Sequence, residues 1–393
     1  MSIDKTAKSV LINPIIARDV KELHRAATPL ELFYDLIYVV AIASLAVELH
    51  HALSGLHHVG YSIWMYIFIF FLIWWPWNSY TWFASGYDTD DAQFRLASFA
   101  QMTGVIIIAV GVEPAFSNNN FLTMMIGYVI MRIPYILMWL KVAHDDEYFR
   151  PVALRYALGG LIVQLTWTLS VLYFPHWYLF IGLVLLEVLV PFLAEHSKDK
   201  GENTNYHFGH IEERLGLMTI IVLGESILAI DYTFEKVVEH FSSDLISLAI
   251  GSVLILFSMW WIYFDDTVED ELASQKKAFI WAYGHFFIYV FATAVGVLIS
   301  VNVDVLTHSA KIDEYIAING LALAIIGYLV SVWLCHDYLV EKKGIMLYEL
   351  LILAVSVLVI ALFFQSILLI GVAFASLNII RVTMRHKACL LER

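Results

Sequence analysis

The chain has 393 residues, of which 60% are hydrophobic, 15% aromatic and only 15% charged, and its formal net charge is −13. Soluble globular proteins carry about 25% charged residues, so this composition excludes an ordinary soluble domain and indicates a polytopic helical membrane protein. The sequence contains no glycine-rich phosphate loop and no GxSxG or HExxH motif, and its basic residues suggest no nucleic-acid interface. We therefore expect neither an enzyme nor a cofactor, and the lipid bilayer is the first expected partner.

Apolar runs of about 20 residues, the length that crosses the roughly 30 Å hydrocarbon core, recur along the whole chain. An almost unbroken run extends from Ile345 to Val382, and Phe364-Gln365-Ser366 is its turn signal, so we expect a tight hairpin there. Twelve membrane-spanning helices are predicted, near residues 31–49, 60–83, 95–115, 121–141, 153–173, 177–194, 214–230, 244–264, 278–300, 317–336, 346–363 and 366–383.

The Lys and Arg residues alternate between the two sides that these spans define. One side, with both termini and every second loop, carries 20 of the 23, whereas the opposite loops hold only Lys236 and Lys311. Because cationic loops stay in the cytoplasm, both termini are expected there. The expected organisation is a cytoplasmic segment 1–29, a six-helix half 30–200, a second half 201–383 and a cytoplasmic basic tail 384–393.

Acidic residues begin the first span. Glu31 and Asp35 are four residues apart and therefore project from one face of a helix. Two neighbouring acids in this position need a cation or a raised pKa. By depth, Arg25, Arg95 and Arg214 are candidate partners. The predicted cytoplasmic-end charge cluster is Glu31, Asp35, Arg95, Glu212, Glu213 and Arg214, and it serves either as a gate or as an interfacial set of ion pairs that fixes helix packing.

Four histidines follow the first span, in the stretch HHALSGLHHV. Their imidazoles, His50, His51, His57 and His58, are a candidate zinc site or pH sensor. No Cys or Asp accompanies them, and adjacent histidines on a helix point apart.

Charged residues inside later spans are the strongest functional candidates, because ionisable groups are costly in hydrocarbon. Glu225 lies past the middle of its span, about 18 Å beyond Glu213 along a helix, and Ser226 follows it. Glu225 is a protonatable coupling site, a cation ligand or the anion of a buried pair, and Arg132, the basic residue inside a span, is the natural candidate partner for such a pair. Glu187 is a further candidate for this intramembrane set.

A repeated order of features favours an internal duplication. Each half has an acidic first span, a second span with a Trp pair and an acidic end, and then a basic residue. Glu31 and Arg95 are 64 residues apart, and so are Glu213 and Lys277. Six-helix copies would share one orientation and form a parallel repeat.

Three stretches carry a resemblance to a known family: LELFYDLIYVVAIASLA at 30–46, HIEERLGLMTIIVLGESILAI at 210–230 and WWIYFDD at 260–266. With YGHFFIYVFATAVGV at 283–297, they resemble the bacterial low-temperature-requirement protein A family. The resemblance implies a multi-pass inner-membrane protein linked to growth in the cold, without a known substrate.

Two functions remain open on these grounds. The first is an ion-coupled secondary transporter of a small solute or ion, with Glu225 as the coupling carboxylate. The second is a non-transporting membrane sensor or stress-adaptation factor whose intramembrane charges are structural. The sequence carries no indication of the oligomeric state.

Overall fold

The computed structural model of the chain describes residues 13–19, 22, 25–174, 176–195, 206–265, 275–340 and 347–391. Side chains of residues 275–276 and 384–391 are outside this description. Within the described ranges the regular structure is helical, and no strand occurs there. The helices are α1 Pro29–Ser54, α2 Val59–Tyr87, α3 Ala92–Val110, α4 Val112–Asn118, α5 Leu122–Asp145, α6 Arg150–Tyr173, α7 Trp177–Glu195, α8 Phe208–His240, α9 Ser243–Phe264, α10 Gln275–Leu306, α11 Glu314–Val332, α12 Glu349–Phe363 and α13 Ile367–Leu391.

The first ten predicted spans are helices in the structure. Within the described residues, ten helical segments are long and apolar enough to cross a membrane, with α3 and α4 counted as one. The helix α8 has 33 residues and exceeds its predicted span of 214–230 at both ends. An apolar run marks only the part of a helix that fits hydrocarbon, whereas good helix formers such as Glu and Lys continue the helix beyond it. The structure is thus that of a multi-pass helical membrane protein.

The predicted hairpin near the C-terminus is confirmed as two helices joined by a short turn. The helices α12 and α13 are separated at residues 364–366, where Gln365 adopts a φ of 47°. The helix α12 has 15 residues, fewer than the about 20 that cross a bilayer directly. Twelve crossings therefore remain a prediction; among the described residues there are ten candidate spans by length and composition, and two shorter apolar helical stretches, Glu349–Phe363 and Ile367–Thr383.

The chain folds into two compact units. Unit 1 comprises residues 1–45 and 72–214, and unit 2 comprises residues 46–71 and 215–393. Inside unit 1, α3, α5, α6 and α7 pack in chain order, and inside unit 2, α10, α11, α12 and α13 do the same. The predicted boundary between halves, near residue 200, lies outside the described residues.

The described part of the N-terminal segment is anchored to unit 1. The backbone N–H of Asn13 donates to Asp91, and that of Ile15 donates to Asp145. Arg25 is buried and donates to the carbonyl oxygens of Ser85 and Ala84 at 2.7 and 2.6 Å. These carbonyls belong to the last turn of α2, where the Ala84 oxygen also accepts from the N–H of Asp88 at 3.1 Å, so Arg25 caps the end of α2.

Two glycines allow α3 and α5 to cross closely. A Cβ atom at Gly104 would lie 2.6 Å from the carbonyl oxygen of Gly127 and 2.7 Å from the backbone nitrogen of Met131. Both obstacles are backbone atoms of α5, which cannot move without displacing the helix. Small residues permit this approach, which is a common solution where membrane helices pack.

We predict that Gly104→Ala destabilises unit 1, because overpacking at a helix crossing typically costs about 1–3 kcal/mol. The measurement is the melting temperature of the purified protein in detergent, followed by intrinsic tryptophan fluorescence. Gly182→Ala is the matched control, because a Cβ atom at this α7 position meets nothing within 4 Å. The control should melt at or slightly above the wild-type temperature, and a Gly104→Ala protein that does the same would contradict the crossing.

Candidate functional site

A fully buried group of four ionisable side chains joins the first turns of α1 and α8. We call Glu31, Asp35, His210 and Arg214 the Arg214 cluster; each has a side-chain exposure of 0%. The guanidinium of Arg214 lies 2.9 Å from Glu31 Oε1 and 2.5 Å from Asp35 Oδ1, and its Nε lies 3.3 Å from Asp35 Oδ2. His210 Nε2 lies 3.1 Å from Glu31 Oε1. One cation thus serves two carboxylates in a site without solvent.

The start of α1 places Glu31 in this cluster. Thr28 and Glu31 form a reciprocal capping box, in which the N–H and Oγ1 of Thr28 donate to Glu31 Oε2 at 2.8 and 3.0 Å. The N–H of Glu31 in turn donates to Thr28 Oγ1 at 3.2 Å. This pattern satisfies backbone donors that every helix N-terminus leaves open, and it leaves Oε1 for His210 and Arg214.

Aromatic residues surround the same carboxylates. Trp77 Nε1 donates to Asp35 Oδ1 at 2.7 Å, so Asp35 receives hydrogen bonds from α2 as well as from α8. Tyr34 stacks on Tyr80 with ring centroids 3.8 Å apart, and its hydroxyl lies 3.1 Å from that of Tyr38. Rigid aromatic packing excludes water and fixes the ion-pair geometry, which strengthens each charged hydrogen bond.

The structure selects among the cationic partners predicted for Glu31 and Asp35. Arg214 lies between them, whereas Arg25 caps α2 and Arg95 pairs with Asp90 at the surface. The other predicted members lie at the edge: Glu212 is half-buried, and exposed Glu213 accepts a hydrogen bond from the N–H of Ala27. The sequence interpretation missed His210 and Trp77. The spacing of His210 and Arg214, four residues on one helix, was the available signal for His210.

A second buried ion pair in unit 1 corrects the predicted partner of Arg132. Its Nη2 lies 2.5 Å from Glu187 Oε1, and Trp75 Nε1 donates to Glu187 Oε2 at 2.9 Å. The predicted pairing of Arg132 with Glu225 was therefore wrong, because the carboxylate that bonds Arg132 is that of Glu187 on α7. Buried ions are stable only with a partner and additional hydrogen bonds, and Glu187 has both.

Glu225 lines a cavity in unit 2, which we call the Glu225 cavity. Its volume is about 260 Å³. Glu225 is half-buried and has no hydrogen bond or ion pair within the part of the chain that the structure describes. The lining comes from the last part of α1, from α8 and from α10: Ala46, Val47, His50, Glu225, Ser226, Leu228, Ala229, Tyr232, Thr293, Gly296, Val297 and Ser300.

Close packing beside the cavity holds Ser226 in place. A Cβ atom at Gly296 would lie 2.8 Å from Ser226 Oγ, so α8 and α10 touch there. The Ser226 hydroxyl donates to the carbonyl oxygen of Ala292 at 3.3 Å.

The histidine prediction needs correction as well. No group of three or more metal-ligating side chains occurs among the described residues, which include all four histidines. His50 instead lies 2.8 Å from Asp304 Oδ2, and His51, His57 and His58 are exposed. His50 is in α1 whereas His57 and His58 follow its end, so the imidazoles do not converge on one point.

Asp304 connects the three helices that line the Glu225 cavity. Its Oδ2 accepts hydrogen bonds from His50 and from Ser54 Oγ at 2.8 and 2.7 Å, and its Oδ1 accepts from the hydroxyl of Tyr232 at 2.9 Å. We call this arrangement the Asp304 clasp. The carboxylate of Asp304 is fully engaged, so Glu225 is the acid that remains available in the cavity.

These features define a class: multi-pass helical membrane proteins in which buried ion pairs hold the helices and a half-buried carboxylate lines an open cavity. The comparisons with known proteins give the family. The family model for bacterial low temperature requirement A protein (LtrA) matches residues 26–383, so the chain belongs to the LtrA family. An uncharacterised protein of Rhizobium meliloti (strain 1021) is 29% identical over 287 residues, which are 68% of this chain and 67% of that protein.

We predict that Arg214→Gln lowers the free energy of unfolding by about 3–5 kcal/mol, because it leaves two buried carboxylates without a cation. The expected readout is a large loss of folded, monodisperse protein in detergent. Arg95→Gln is the control, since it removes an equal charge from a pair that is about half exposed and stabilises little. Equal yields and melting temperatures for the two variants would refute the role given to Arg214.

Asp88, which follows α2 outside the spans, gives a pH prediction. Burial raises the pKa of Asp88 to about 6, and repulsion from Glu31 adds to the rise, against the attraction of Arg25 and Arg18. A carboxyl whose pKa is higher in the folded state stabilises the fold most below its ordinary pKa of 3.8, and this stabilisation is lost as the pH rises through about 6.

Asp88→Asn should therefore remove part of the decline in stability between about pH 4 and 6, and raise stability at pH 7 by about 1–3 kcal/mol. The asparagine oxygen can still accept the hydrogen bond that Asp88 Oδ1 accepts from the N–H of Asp90. The measurement is the melting temperature of both proteins at several pH values. If the melting temperatures of the two proteins changed with pH in parallel, ionisation of Asp88 would have no effect on the stability of the folded state.

Proposed function

We propose that this LtrA-family protein is an ion-coupled secondary transporter and that Glu225 is the carboxylate that binds the coupling ion. One observation carries the proposal: Glu225 lines a cavity and has no partner among the described residues. Glu31, Asp35 and Glu187, by contrast, each contact an arginine. An acid that a membrane protein leaves without a cation is available to bind one.

Electrostatics supplies the coupling. A carboxylate in a low-dielectric site is stable only when it is protonated or when it holds a cation. Each occupant changes the free energy of the surrounding helices, and a ligand shifts a conformational equilibrium by its difference in affinity for the two states. A site that alternates between a proton and another cation can therefore link two gradients.

The proposed arrangement in the membrane follows from the charges of the loops. The 20-to-2 distribution of Lys and Arg supports an inner-membrane protein with both termini in the cytoplasm. The Arg214 cluster would then lie at the cytoplasmic side, where we propose that it acts as a gate. The chain-order packing of four helices inside each unit supports a parallel duplication of a six-helix ancestor.

A second candidate function is a non-transporting sensor or stress-adaptation factor. It is favoured by the buried ion pairs of Arg214 and Arg132, which are what purely structural charges form. In that case Glu225 would contribute to helix packing or to contact with lipid. The family description, low temperature requirement, fits either function.

The test is ion and proton flux in proteoliposomes that contain the purified protein. We predict that Glu225→Gln lowers flux at least 100-fold, because an amide cannot exchange a proton and carries no charge to bind a cation. Glu235→Gln is the matched control, since Glu235 is exposed on the same helix and loses the same charge. It should retain wild-type flux.

Flux that is equal in Glu225→Gln and wild type would contradict the role of Glu225. Absence of flux from wild-type vesicles, under imposed proton, sodium and potassium gradients, would favour the sensor. Reconstitution must be matched by protein content and by size-exclusion profile, so that a folding defect is not read as a loss of transport.

A further inference from the structure

The Glu225 cavity has properties that select a class of ligand. Its titratable lining groups among the described residues are Glu225 and Tyr232 from α8 and His50 from α1, and its non-titrating polar groups are hydroxyls. None of the described Lys or Arg residues lines it. His50 and Tyr232 are both engaged by Asp304, so the charge that a ligand meets is the carboxylate of Glu225. The cavity therefore favours a cation over an anion.

The size of the cavity argues against a bare metal ion. A volume of about 260 Å³ far exceeds that of a single water, which takes about 30 Å³ in the liquid. Protein sites for divalent metals usually gather several ligands around the ion, and no group of three or more His, Cys, Asp or Glu side chains is found among the described residues. The cavity would have to remain full of water around a lone ion.

The residues that line the cavity are suited to bind a cation that carries an alkyl group. Ala46, Val47, Leu228, Ala229 and Val297 offer apolar surface. Thr293 and Ser300 add hydroxyls that can accept hydrogen bonds from an ammonium group. An ammonium ion donates several hydrogen bonds at once, and its alkyl chain gains free energy from burial against these walls.

We propose that the Glu225 cavity binds a small organic ammonium ion and that this ion replaces a proton on Glu225. In the exchange the carboxylic acid releases its proton to water, the carboxylate pairs with the ammonium, and the total charge of the site is unchanged. The inference rests on the proposed function for the direction of transport, which is exchange of the amine for a proton. The binding step can be tested by itself.

The test is calorimetric titration of the full-length protein in detergent with n-butylammonium chloride at pH 6, 7 and 8. Sodium chloride and sodium butyrate, at equal concentrations, are the controls for charge and for size. We expect saturable binding of butylammonium and of neither control. Over the pH range in which Glu225 is protonated in the free protein, the affinity for butylammonium should increase by up to tenfold for each unit of rising pH. Titrations in buffers of different ionisation enthalpy should show release of up to one proton for each ammonium bound.

Two variants locate the binding. Glu225→Gln should abolish butylammonium binding and proton release, whereas Glu235→Gln should keep both. Ala46→Phe fills the cavity without removing the carboxylate, and it should weaken binding at least tenfold even if Glu225→Gln fails to fold. Undiminished binding in Ala46→Phe, or no saturable binding by the wild-type protein at any pH, overturns the proposal.

The outcome is separable from that of the transport assay. Glu225-dependent flux of another ion, without butylammonium binding, would keep the transporter and overturn the ammonium ligand. Butylammonium binding that depends on Glu225, in vesicles that show no flux, would keep the ligand and overturn the transporter.

Discussion

The pairing of Arg214 with Glu31 and Asp35 is the interaction on which the packing of unit 1 depends. Three charges with no solvent exposure can coexist only if each faces an opposite charge at hydrogen-bond distance. This requirement fixes the first turn of α8 against the first turn of α1. The hydrogen bond from Trp77 to Asp35 brings α2 to the same place. A membrane interior gives little hydrophobic incentive for one helix arrangement over another, so such polar contacts determine which faces meet.

Glu225 is the exception to the rule that a buried charge faces an opposite charge. Arg132 and Glu187 obey it with a short ion pair and a tryptophan hydrogen bond. Glu225 does not obey it within the described chain, and it lines a cavity of about 260 Å³. An unpaired acid lowers the stability of an empty protein, so its presence is explained most simply by a ligand that compensates it in use. The functional proposal depends on this contrast, because the fold alone is compatible with many activities.

The sequence predicted the helices better than it predicted their contacts. Hydrophobic runs mark crossings because hydrocarbon thickness sets their length, and the turn at Phe364-Gln365-Ser366 interrupts such a run visibly. Pairing depends on which helices become neighbours, which no local pattern encodes. The estimated depth of each residue in the membrane therefore suggested Arg132 as the partner of Glu225, and it left three arginines as candidates for Glu31 and Asp35. In the structure Arg132 pairs with Glu187, and Arg214 pairs with Glu31 and Asp35. His50 illustrates the same limit, since its partner Asp304 lies on α10, far along the chain.

The Asp304 clasp links occupancy of the Glu225 cavity to the packing of unit 2. His50 and Tyr232 line the cavity and at the same time bond Asp304, so one set of side chains serves both ligand and helix contacts. A ligand that draws either side chain toward itself weakens a bond that holds α1 or α8 to α10. By linkage, a ligand that favours the open clasp by a given factor would bind the open form more tightly than the closed form by that same factor. The hydrogen bonds of Asp304 on α10 thus hold two residues of the cavity lining, and displacement of either residue by a bound cation would weaken the contact of its helix with α10.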